Sequence, residues 1–159
     1  DGHVIIEIAS LVTDSDLNEL AAGPVVAIQR TEEELANINE WSMDQHTKSG
    51  LLKRVKESSI TIDIADQITV NFLKEWVDKG KSPICGNSIA TDRRFIRKEM
   101  PSLDSYLHYR MIDVSTIKEL AARWYEKLDP PSKKSEHTAL SDIRESIEEL
   151  RWYREKVFS

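Results

Sequence analysis

The apolar run between His3 and Thr13 constrains this chain more than any other segment. Val4, Ile5, Ile6, Ile8, Leu11 and Val12 follow one another almost without interruption, the pattern of a strand covered on both faces. Asp14-Ser15-Asp16 then reads as a turn, and Leu17 to Leu20 as the start of a returning strand. Gly23-Pro24 punctuates the chain before a third strand, Val25-Val26-Ala27-Ile28. Three strands in antiparallel succession are therefore expected at the front of the chain.

Helical signals dominate the remainder. Thr31-Glu32-Glu33-Glu34 has capping-box form and opens a short helix through Ile38. Trp41 to Val55 reads as broken helices around Ser49-Gly50. Thr61 caps a helix whose Ile64, Ile68, Phe72 and Trp76 recur every four residues along one stripe, and Gly80 closes it. Ser82 to Asn87 is expected as a buried strand feeding a helix that contains Asp92 and ends before Pro101. Tyr109 to Val114 is a further short strand, leading through Ser115-Thr116 into a helix with Ile117, Leu120 and Trp124. The segment Asp129 to Ser135 is a loop by composition, and the last helix runs from about Thr138 to Val157 with Ile143, Ile147 and Leu150 inward. With no repeats or linkers, residues 1–159 read as one α/β domain, its sheet antiparallel at first and then parallel through helical crossovers.

Composition narrows the function classes. The chain is 40% hydrophobic and 31% charged, an ordinary globular balance. It has no apolar run near the ~18 residues that cross a bilayer and no signal-peptide pattern. Cys85, alone within an apolar run, is expected to be buried and inert, and a reducing, cytoplasmic setting suits it. A net charge of -6 argues against coating long nucleic acid. It leaves room for a small anionic substrate where divalent metal supplies positive charge locally.

Three residues carry the chemistry. His137 stands five residues before Asp142 at the start of the C-terminal helix, and Asp92 follows Gly86-Asn87-Ser88-Ile89 in a strand-to-helix setting. In one regular helix His137 and Asp142 would point about 140° apart, so they converge only if His137 lies in the incoming loop or first turn. Spacing alone favours plainer readings: a cap-region histidine beside a solvated Asp142, and an Asp92 stabilised by its helix dipole. The conjunction and order of the two segments shift the balance.

The chain resembles the oligoribonuclease family, within the histidine subtype of the DEDD exonuclease superfamily. The resemblance runs from Ile5-Ile6-Glu7-Ile8-Ala9 to the C-terminus. It includes His46-Thr47-x-Ser49-Gly50-Leu51, Lys81 to Ile89, Asp92-Arg93-Arg94-Phe95, His108-Tyr109-Arg110, Asp113 to Thr116 and Asp142 to Ser146. It implies an RNase H-like exonuclease fold, a mixed sheet flanked by helices, and cleavage of short RNA oligonucleotides down to dinucleotides. It implies two divalent cations, Mg2+ or Mn2+, held in part by Asp92 and Asp142, with His137 as general base. Trp41 and His46 are implied near the bases, and Ser88, Arg110 and Ser115 at the 5′-phosphate. Tyr109 is implied to reach a site across a homodimer interface. Each has a plainer reading: Trp41 as core, His46 as a helix-surface group, Arg110 as an ion-pair partner, Ser115 as a cap. The basic groups Lys53, Arg54 and Lys56, and Arg93, Arg94, Arg97 and Lys98, read mostly as solvated helix faces.

The family's Asp-x-Glu strand motif has no counterpart in the sequence, since Asp14-Ser15-Asp16 is in a turn and Glu7 lies within an apolar strand. A polypeptide of these residues alone is expected to be inactive and less stable. Two rival readings remain: a catalytically inactive truncated nucleotide-binding module, and a related DEDD exonuclease acting on DNA or tRNA ends.

Overall fold

A computed structural model describes residues 3–36, 50–133 and 138–158. The opening apolar run forms two short strands, β1 (Glu7–Ile8) and β2 (Leu11–Thr13), rather than one long strand. The chain returns through β3 (Glu19–Ala22) and β4 (Val26–Ala27). β2 pairs with β3 and β1 with β4, both antiparallel, so each half of the run meets a different part of the returning chain. A register shift at Val12/Thr13 and the Gly23-Pro24 corner separate the two ladders. The run is covered on both faces as expected. Val12, Ile5 and Ile8 join the larger apolar cluster, whereas Ile6 and Val4 pack with Leu35, Leu51 and Val55.

Thr31 opens α1 (Glu32–Leu35) with both halves of a capping box in place. The predicted continuation to Ile38 and the stretch from Trp41 to Ser49 lie outside the described residues. α2 (Leu51–Glu57) starts from Gly50, whose φ of 74° a glycine adopts without steric cost. α3 (Ile62–Lys74) is capped by the Thr61 hydroxyl, which accepts from Ile64 N at 3.4 Å.

The stripe foreseen on α3 is corrected. Ile64 and Trp76 are exposed, while Ala65, Asp66, Thr69, Val70 and Leu73 are buried. A four-residue step overshoots a helical turn by about 40°, so a strict i+4 series drifts off the buried face within three steps. Asp66, buried, accepts from Ser102 N at 3.0 Å and Leu103 N at 2.8 Å, and so caps a helix far along the chain. On its other side α3 presses Phe72 against the β3–β4 corner, where a side chain added at Gly23 would meet the ring at 2.7 Å.

β5 (Ile84–Gly86) leads into α4 (Ile89–Glu99), α5 (Pro101–Tyr106) and then β6 (Met111–Asp113). β6 lies parallel to β5, the helical crossover foreseen for the second half of the chain. α6 (Val114–Trp124) and α7 (Ala139–Lys156) complete the fold. Val114 starts α6 rather than ending the strand, because Asp113 caps the helix there. Along α7 the buried residues are Glu149 and Tyr153, with Ile143, Ile147 and Leu150 only partly covered. Cys85 is exposed, against expectation, because it points away from the core on a strand of three residues. Desolvation by neighbouring atoms still pushes the thiol up.

One contact closes the start of the first strand run. Glu99 Oε2 accepts from Ile5 N at 3.0 Å, and Arg30 Nε donates to Ile5 O at 2.9 Å. Arg30 also pairs with Glu99 at 2.8 Å and Glu34 at 3.1 Å.

Candidate active site

β5 and β6 end at the same level, with Gly86 opposite Asp113. At that level each strand turns into a helix, the arrangement that gathers ligands at the carboxyl ends of α/β strands. Ser88 enters α4 in the left-handed region, at φ 50° and ψ 41°. Asp113 Oδ1 accepts from Ser88 N and from Ser115 N, each at 2.9 Å. Two of the residues implied at a 5′-phosphate, Ser88 and Ser115, are thus brought together by a carboxylate that sequence reasoning passed over. A helix-capping Asp two residues before a Ser was the available signal. Asn87 Nδ2 donates to Ser115 Oγ at 3.2 Å, which leaves the Ser115 hydroxyl proton to point elsewhere.

Asp92 lies in the first turn of α4 and is exposed. Desolvation by the protein around its carboxyl nonetheless pushes the pKa up, so a nearby cation would be welcome. Its neighbour Arg93 is not the solvated residue foreseen. Buried at 5% exposure, Arg93 donates to Asp104 Oδ1 at 2.8 Å, Asp104 O at 3.1 Å and His108 O at 3.1 Å. These bonds fix the backbone immediately before Tyr109 and Arg110. Tyr109 is 74% exposed; its ring stacks on His108 and the Arg110 guanidinium lies 5.4 Å from its centre. Arg110 N donates to His108 Nδ1 at 2.9 Å, and its side chain remains exposed.

Asp142 occupies the first turn of α7, whose Thr138 cap accepts from Ser141 N at 3.3 Å. Glu7, on β1, receives Ala139 N at 3.0 Å and pairs with Arg54 at 2.8 Å. Its carboxylate therefore holds the start of α7 to the strand, and Arg54 is not merely a solvated charge. Asp14 closes a turn by accepting from Asp16 N and Asn18 N, and bonds from Asn18 hold its carboxyl below the usual range. Neither residue stands in for a metal-binding Asp-x-Glu pair.

The helices bearing the two aspartates are tied together. Asn87 Oδ1 accepts from Ser146 Oγ at 2.5 Å, and Ser146 lies one turn beyond Asp142 on the same helix face. Asn87 itself is five residues before Asp92. Trp41, His46 and His137 lie outside the described residues. Between Pro131 to Lys133 and the first turns of α7 is a cavity of about 540 Å³, whose lining does not include Asp92 or Asp142.

Among the described residues no group of three or more His, Cys, Asp or Glu forms a complete metal-binding cluster. The donors Asp92 and Asp142 still fit Mg2+ or Mn2+ in kind. Hard oxygen ligands suit such ions, which commonly take one or two carboxylates and complete their shell with water and substrate phosphate.

Comparison with known proteins identifies the family. The exonuclease family matches residues 1–150. The oligoribonuclease of Vibrio parahaemolyticus is 58% identical over 157 residues, covering 98% of this chain and 87% of that protein. That of Vibrio vulnificus is 58% identical over 159 residues, covering 99% and 88%. That of Pseudomonas paraeruginosa is 56% identical over 156 residues, covering 98% and 87%. Identity this high along nearly the whole chain, on a mixed α/β fold with its acidic residues at the strand ends, places the chain in the oligoribonuclease family of exonucleases.

Proposed function

We propose that this protein is a metal-dependent 3′-to-5′ exoribonuclease that degrades short oligoribonucleotides and dinucleotides to 5′-mononucleotides, working as a cytoplasmic homodimer. The observation that carries the reading is the gathering of Ser88, Ser115 and the helices of Asp92 and Asp142 at one end of the β5–β6 pair. When bound, two divalent cations would polarise the scissile phosphate and stabilise the leaving 3′-oxygen.

The chain's own groups have distinct tasks. Asp92 and Asp142 offer carboxylate oxygens to the cations. His137 accepts a proton from the attacking water, a task suited to an imidazole whose ordinary pKa is about 6.5. The Ser88 and Ser115 hydroxyls and the Arg110 fork bind the 5′-phosphate, and Trp41 and His46 serve the base end. Tyr109, so open on its own protomer, reaches the partner's site. A substrate gripped at both ends is necessarily short.

Hydrolysis of a labelled diribonucleotide with Mn2+ by the protein with its native N-terminus, beside chains of increasing length and a DNA control, tests the reading. Turnover steepest on two-residue RNA and abolished by a chelator is the expected result. Faster cleavage of long DNA or tRNA ends would favour a related exonuclease, and binding without turnover an inactive binding module.

A further inference from the structure

Glu149 is a buried carboxylate that the reaction above does not use. Its side chain is 7% exposed, and Oε2 has no hydrogen-bond partner among the described residues. Oε1 receives Lys133 Nζ at 3.1 Å and Asn87 Nδ2 at 3.3 Å. Lys133 Nζ donates in turn to Asn87 Oδ1 at 2.8 Å. The Asn87 amide is fully used, with both donors and both acceptor positions engaged by Ser115, Glu149, Ser146 and Lys133. Four separate segments meet at this one side chain: the β5–α4 turn, the start of α6, the middle of α7 and the loop that carries Lys133.

A half-satisfied buried ion pair is poor at stabilising a fold, since an apolar side chain of similar volume would serve as well or better. Its geometry is better suited to orientation. In sequence Lys133 stands four residues before His137, and Asn87 adjoins Ser88.

We propose that Lys133, Asn87 and Glu149 act as positioning residues, fastening the loop that precedes His137 to the strand end that carries Ser88 and Asp92. The proposal rests on the reading of His137 as general base. The fastening holds the chain at Lys133, four residues before His137 in sequence, beside the strand end; it does not touch the reacting atoms. A displacement of about 1 Å at such a site costs on the order of a hundredfold in rate, so loss of the clamp should appear in kcat.

Steady-state kinetics on a diribonucleotide with the full chain test this, comparing Lys133→Met, Lys133→Arg, the double variant Lys133→Met/Glu149→Gln, and His137→Ala. Lys133→Met is expected to lower kcat by about tenfold or more with KM within about twofold. Lys133→Arg keeps the cation and should retain most of the turnover. Lys133→Met also strands the Glu149 charge, so its melting temperature should drop. The double variant should recover the melting temperature but not kcat. Normal kcat in Lys133→Met, or recovery of kcat together with stability in the double variant, would overturn the proposal. Normal turnover in His137→Ala would count against the base assignment instead, and the two failures are read from different variants.

Discussion

The amide nitrogens of Ser88 and Ser115, 27 positions apart in sequence, donate to the same Asp113 oxygen at the same distance, 2.9 Å. One carboxylate therefore caps α6 and pins the left-handed entry to α4. Removal of that oxygen should loosen both serines at once. Asp113→Ala is expected to lower unfolding free energy by about 1–2 kcal/mol, the usual cost of a lost helix cap, and to raise KM for a 5′-phosphorylated dinucleotide. Asp113→Asn keeps an acceptor in place and should retain most of the stability. Denaturant unfolding and initial rates on one preparation check both halves.

Arg110 presents its guanidinium from an exposed position whose backbone is fixed by His108 and, through it, by Arg93. Arg110→Ala should weaken 5′-phosphorylated dinucleotides by about tenfold or more, the worth of a charge-assisted bond. Unphosphorylated dinucleotides should be nearly unaffected. Equal losses on the two substrates would remove Arg110 from the phosphate.

Partial desolvation by the surrounding protein raises the exposed Asp92 carboxyl above its usual 3.8, so the folded chain holds that proton more tightly than the unfolded one. Its ionised form then costs stability at neutral pH, and the cost fades as pH falls through the raised value towards 3.8. Asp92→Asn should melt slightly higher than the parent at pH 7, with the gap closing in acid. Turnover should fall about a hundredfold or more through loss of a cation ligand. A variant that melts lower and still turns over normally would contradict both statements.

Glu34 behaves oppositely. The Thr31 backbone N–H, with Arg30 as a lesser partner, holds its carboxyl below the usual 4.5. The stabilisation is present above 4.5 and is lost as pH falls through the lowered value. Glu34→Gln keeps a capping-box acceptor but not the charge. It should be less stable by roughly 0.3–1 kcal/mol at pH 7, with the two proteins converging in urea unfolding as pH falls below the lowered value.

Local signals were the legible part of the fold. The capping box at Thr31 and the cap at Thr61 depend on neighbours three residues away and appear where the sequence puts them. The parallel β5–β6 pair follows from strand, helix and strand in that order. Long-range partnerships were not legible. The burial of Arg93 depends on Asp104 and His108, and the exposure of Cys85 depends on how little covers a three-residue strand. At the candidate site the motif residues Asp92, Asp142, Ser88 and Ser115 could be named through the family resemblance, whereas spacing alone favoured plainer readings. Asp113, Lys133 and Glu149 could not, because their significance lies in distant groups meeting at Asn87 and at the two strand ends.

The Arg30–Glu99 pair has a consequence for how this protein behaves in concentrated solution. Ile5 offers a main-chain N–H and C=O that another extended chain could use as a template, and both are already taken by side chains. The pair imitates a neighbouring strand without being one, so at this point the sheet edge is closed to accretion by passing polypeptide. An apolar pair of similar size would satisfy neither group and leave that margin adhesive.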